Sequence, residues 1–208
     1  MSLFAGAFLW HEDMNPFQIW FSTGFKHILD LNGYDHILFV ILLSLAFPLQ
    51  HWAKLLLLIT AFTLGHSLSL AGSVLWNWTI AQKIVEPCIA LSILITAVYQ
   101  LIKRDTAEKK GNLFLYGLTL CFGLLHGLGF SYLLRSLLGQ EESVFLPLVY
   151  FNLGIEAGQL LIVGLLLGIS VFLKSVIHIT YKPFKYTLVC SIGLLALKIS
   201  IERLLPFF

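Results

Sequence analysis

Six ionisable residues, Asp35, His36, His66, Glu86, His126 and Glu156, lie inside or at the edge of hydrophobic stretches long enough to cross a bilayer. A charged side chain near the bilayer centre costs roughly 2.5–3.5 kcal/mol on insertion scales, so a chain that keeps several is expected to use them. Imidazole and carboxylate together suit a borderline divalent metal such as nickel, cobalt or zinc. His27, Asp35 and His36 surround a Gly-containing turn in GFKHILDLNGYDHILFV. Asp35 at a helix start is also favoured by the helix dipole alone. In TAFTLGHSLSLAG, Thr63, His66 and Ser67 share one helical face at i, i+3 and i+4. That spacing makes His66 a candidate ligand and the two hydroxyls candidates for orienting it.

His126 sits in FGLLHGLGFS between Gly123, Gly127 and Gly129, and the Gly123/Gly127 spacing lets two membrane helices approach closely. FNLGIEAGQL aligns Asn152, Glu156 and Gln159 on one face, with Gly154 and Gly158 as a second small-residue pair. Glu86 precedes Pro87, a residue suited to the first helical position. The plainer readings are a helix cap for Asp35 with His27 and His36 at the headgroup boundary, a helix entrance for Glu86, interhelical hydrogen bonding for His66 and Ser67, and a protonated Glu156 hydrogen-bonded inside the bundle. The candidate metal ligands are His27, Asp35, His36, His66, His126 and Glu156, and their supporting polar neighbours are Thr63, Ser67, Glu86, Asn152 and Gln159. His11, His51 and His178 fall in loops or at span edges and are left out.

The elements that must position these residues follow from composition. The 208 residues are 58% hydrophobic and 12% charged, with mean hydropathy +0.88, against about 45–50% apolar and 25% charged in a soluble domain. This is the composition of an integral membrane protein, with the lipid bilayer as partner. A net charge of +2 with dispersed basic residues excludes nucleic acid as one. A span takes roughly 20 mostly apolar residues. That ruler predicts about six transmembrane helices, at 35–50, 54–76, 84–102, 112–138, 143–173 and 184–205. The fold class is all-α, a polytopic membrane helical bundle.

Residues 1–33 read as an N-terminal interfacial segment, with an interfacial or re-entrant helix over 17–31, and 34–208 as the six-helix transmembrane domain. Cys88, Cys121 and Cys190 all lie in apolar segments without C-x-x-C spacing, which indicates packing rather than a disulfide or thiolate site. MSLFAGAFLW has no basic flank, so no cleaved signal is expected. The sequence leaves room for a homo-oligomer.

Lys54, Lys103, Arg104, Lys109, Lys110, Lys174, Lys182 and Lys185 share one side of a six-span chain, opposite Glu141-Glu142. Positive loops stay cytoplasmic, so both termini are expected on the non-cytoplasmic face of the cell (inner) membrane. On this topology the six ionisable residues come from five spans to one depth, in the outward half.

In order along the chain, G-x-x-H-I, G-x-D-H-I-L-F-V, T-A-F-T-L-G-H-S-L-S-L, V-E-x-x-I-A-L-S, F-G-L-L-H-G-L-G-F and F-N-L-G-I-E-x-G-Q resemble the HupE/UreJ family, from about Gly24 to Gln159. The resemblance implies a nickel or cobalt permease, or an accessory protein of hydrogenase and urease maturation. It carries the family's Asp-His motif onto Asp35 and His36, and its fourth-span histidine onto His126. The chain reads His126-Gly127-Leu128-Gly129 where the better-known permease branch has a further histidine and glutamate close by. It thus looks more like the second, less characterised branch.

Two functional classes follow. The first is a permease for a divalent transition metal, with an outward-facing His/Asp/Glu site. The alternative is an intramembrane zinc-dependent hydrolase or transferase acting on a lipid or membrane-anchored peptide. There His36, His66 and His126 would hold zinc, and Glu156 or Asp35 would act as base. A membrane chaperone whose polar residues only specify packing is the blandest reading.

Overall fold

The computed structural model describes residues 15–47, 51–78, 80–102, 113–138 and 143–207. The signal-peptide expectation, His11, Pro48, and the loop charges at Lys103, Arg104, Lys109, Lys110, Glu141 and Glu142 lie outside the described residues. Helix α1, Pro16–Ile28, starts at a reciprocal cap. The Gln18 amide donates to Asn15 Oδ1 at 2.9 Å, and the Asn15 amide donates to Gln18 Oε1 at 3.1 Å. Such a box satisfies donors that a helix start leaves bare, and Pro16 has no amide hydrogen to satisfy. After Ile28 the chain turns through a single 3-10 turn, Leu31–Gly33. The Asp30 carboxylate holds this turn by accepting from the Asn32 amide at 2.9 Å. Helix α2, Asp35–Leu45, follows.

Five longer helices complete the bundle: α3 Trp52–Leu75, α4 Gln82–Ile102, α5 Leu113–Leu138, α6 Phe145–Val176 and α7 Tyr181–Leu204. Each of these five contains a window long and apolar enough to cross a membrane, and the chain is a membrane protein. The first expected stretch, 35–50, is represented by the eleven residues of α2. At 1.5 Å per residue α2 covers only about half of a 30 Å hydrocarbon core.

Small residues set the helix pairings. A Cβ on Gly123 would collide with the Phe62 carbonyl, and one on Gly127 with the Ser69 hydroxyl and the His66 carbonyl. The two backbones therefore touch, and α3 and α5 run parallel because the partners advance together. Helices α4 and α7 run antiparallel: Gly193 faces Ala97, while Arg203 near the end of α7 reaches Glu86 near the start of α4.

Helix α1 packs on α6 in the same backbone-to-backbone manner, Gly24 against the Phe151 carbonyl and Gly154 against the Phe21 carbonyl. Its partners progress from Tyr150 at Phe17 to Gly158 at Ile28, so α1 and α6 are parallel. Beyond the turn, Val40 of α2 shares a buried cluster with Ile162 and Val163, farther along α6 in the same sense. Helices α1 and α2 are thus successive segments of one path along α6, interrupted at residues 29–34. The core, with Phe39, Phe62, Phe151, Leu42, Leu43 and Leu58 fully buried, lies beside that interruption. Leu57, Leu64 and Leu68 of α3 and Leu161, Leu165 and Ile169 of α6 remain exposed on the outside of the bundle.

Candidate functional site

Four histidines from four helices meet where the path of α1 and α2 is broken. His27 occupies the last turn of α1 and His36 the first turn of α2. His66 and His126 stand on the mutually packed faces of α3 and α5 that Gly123 and Gly127 bring together. Ring centroids are 4.7 Å apart for His27 and His36, 4.8 Å for His36 and His126, 5.8 Å for His27 and His66, and 6.2 Å for His36 and His66. His66 is completely buried and His126 nearly so, at 1% exposure.

Hydrogen bonding assigns the tautomers of two of these rings. His36 Nδ1 lies 3.3 Å from the Gly33 carbonyl, and His126 Nδ1 lies 2.8 Å from the Phe122 carbonyl. A carbonyl oxygen only accepts, so in both rings Nδ1 carries the proton and Nε2 offers a lone pair. Among the described residues no hydrogen-bond partner meets Nε2 of His27, His36, His66 or His126, nor Nδ1 of His66, although all five atoms are buried. A buried polar atom without a partner costs about 1–3 kcal/mol. Of the ten such buried side-chain atoms among the described residues, five fall in this one cluster, a concentration at odds with the rule that buried polar groups are satisfied. As they stand, no three His, Cys, Asp or Glu side chains among the described residues form a ligand set for a metal ion. The imidazoles instead pack edge to face on one another, His27 against His36 at 69° and His36 against His126 at 62°.

Phenylalanines wall the cluster. Phe130 lies 3.9 Å from the His27 ring and stacks on Phe151, while Phe62 lies 5.3 Å and Phe39 5.8 Å from the His126 ring. The sequence reading did not single these out. Their signal was local: Phe62 precedes His66 by four positions, Phe130 follows His126 by four, and Phe39 follows His36 by three, each on its histidine's own helical face.

The other candidates fall around this centre. Asp35 Oδ2 forms an ion pair with Arg203 Nη1 at 2.9 Å, and the same nitrogen donates to the Glu86 carbonyl at 3.1 Å. Arg203 is thus the partner of a candidate ligand. Glu86 contributes its backbone, and its residue is exposed. Glu156 Oε1 accepts from the Thr60 hydroxyl at 3.1 Å, and Gln159 Oε1 from the Thr63 hydroxyl at 2.9 Å. These two bonds form a polar lane between α3 and α6. Ser67 and Asn152 donate to carbonyls of their own helices, Thr63 and Leu148.

The family described as HupE / UreJ protein matches this chain over residues 7–203. Neither a curated protein nor a solved structure matches it.

Proposed function

The chain belongs to the HupE/UreJ family, and from that premise we propose that it is a membrane permease for a divalent transition metal, nickel or cobalt, whose transit site is the cluster of His27, His36, His66 and His126. The observation that carries the reading is the set of buried, unpartnered Nε2 atoms at the break between α1 and α2. Neutral imidazole nitrogen is the donor that nickel, cobalt and zinc favour, and a ligand cluster without thiolates releases its ion readily. Modest rotation of the rings about their side-chain torsions would turn edge-to-face packing into convergence on an ion. Discontinuous helices are where transporters build such sites, because an interrupted backbone beside a polar cavity can rearrange without exposing bare amides to lipid.

In this reading α1 and α2 together make the first membrane crossing. The end of the bundle where α1 begins faces away from the cytoplasm, and ions enter from there. Asp35 joins the imidazoles during transit, while Glu156 serves the neighbouring lane. The hydrolase alternative needs a carboxylate free to act as base on bound water. Asp35 is paired with Arg203 at rest and Glu156 accepts from Thr60, so that alternative would need its base released from Arg203 or drawn from the neighbouring lane.

Proteoliposomes holding the purified chain should accumulate nickel or cobalt down an imposed gradient. Replacing His36 or His126 with alanine should reduce uptake by at least the roughly 10–100-fold that loss of even an outer partner of a metal ligand costs. Uptake that survives both changes rules out this cluster as the transit site, and no uptake by the unaltered chain rules out the permease. Imidazole binds metal only in its unprotonated form, so acidification should lower metal affinity by proton competition.

A further inference from the structure

Asp35 immediately precedes His36 and begins α2, so its carboxylate stands beside the imidazole cluster, yet in this structure it belongs to Arg203. The pair is only partly solvated: the Arg203 side chain is 25% exposed and that of Asp35 14%. Solvent and salt therefore screen it less than a surface pair. Resting on the transport reading, we propose that Arg203 is a resident counter-cation of the site. Its guanidinium holds the Asp35 carboxylate while the site is empty, yields it to the arriving dication, and reclaims it as the ion leaves.

Three features make the exchange physically reasonable. Arg203 Nη1 already donates to the Glu86 carbonyl, so losing Asp35 does not strip the guanidinium of every partner. That matters because stranding a buried charge is what makes breaking an ion pair costly. Arg203 also lies in the last turn of α7, where the helix dipole favours a cation. Finally, the paired carboxylate and guanidinium carry no net charge together, so the resting cluster does not hold a dication as strongly as an unpaired Asp35 would. Arg203 is in these terms a positioning residue that sets how tightly, and for how long, the ion stays.

The test is equilibrium binding of Ni²⁺ to the full-length chain in detergent, with monodisperse elution confirming each variant's fold. Arg203→Gln should bind Ni²⁺ roughly 5–150-fold more tightly than the unaltered protein, the range of ordinary coupling between two sites. In an Asp35→Asn background the same change should lose that effect. Equal or weaker binding by Arg203→Gln, or full tightening without the Asp35 carboxylate, overturns the proposal and leaves the imidazole site standing.

The unaltered protein supplies a second readout. Peptide mass spectrometry should show Arg203 reacting faster with phenylglyoxal as Ni²⁺ saturates the site. Unchanged or slower reaction with Ni²⁺ bound also overturns the proposal. If neither the unaltered protein nor any variant binds Ni²⁺, the metal reading itself falls, and this inference with it.

Discussion

His66 shows most plainly what is unusual about the site. It is completely buried, and neither ring nitrogen has a hydrogen-bond partner among the described residues. For a histidine kept only for packing, that is a loss without return; removing an unpartnered buried polar group is neutral or stabilising. His66→Leu should therefore leave the thermal unfolding midpoint in detergent at or above that of the unaltered protein, while weakening Ni²⁺ binding about tenfold or more. A marked fall in the midpoint would identify His66 as a packing residue instead. The histidines themselves were legible in the sequence because ionisable residues stand out in apolar segments. The partner of Asp35 was not, since Arg203 lies 168 positions away and only the antiparallel meeting of α4 and α7 brings it near.

Among the elements, the five long helices follow hydropathy to within about three residues; the stretch expected at 54–76 is Trp52–Leu75 and that at 184–205 is Tyr181–Leu204. Hydropathy alone did not reveal the relation between α1 and α2, because two short amphipathic or apolar segments look alike whether they lie on a membrane surface or in a bundle. In this structure Gly24 lies against the Phe151 carbonyl, so α1 packs on α6. The small-residue spacing at Gly123 and Gly127 was legible and has a direct consequence. Gly123→Leu must push α5 off α3, at about the 1–3 kcal/mol typical of overpacking, and should spread His66 from His126. The expected result is a lowered unfolding midpoint together with lost Ni²⁺ binding, whereas Gly117→Leu, at a position with open space around it, should change neither.

At the scale of the whole molecule, the shared direction of α1 and α2 along α6 is open to direct measurement. In a chain with Cys88, Cys121 and Cys190 replaced by alanine, Phe17→Cys with Tyr150→Cys and, separately, Ile28→Cys with Gly158→Cys should each form a disulfide under mild oxidation. Phe17→Cys with Gly158→Cys should not, and its cross-linking would reverse the direction of α1. Impermeant maleimide applied to intact cells would then tell which end of the bundle is outside, by labelling Glu86→Cys and sparing Lys182→Cys if the proposed orientation holds. The phenylalanine wall has one more consequence on the proposed permease reading. Phe39 and Phe62 lie against the His126 ring and Phe130 against the His27 ring, so an ion held by these imidazoles would exchange water for nitrogen beside an apolar surface. Magnesium gives up its hydration shell reluctantly and seeks oxygen ligands, so on the permease reading imidazole nitrogen set in an apolar wall repays the lost water of nickel or cobalt and not that of magnesium.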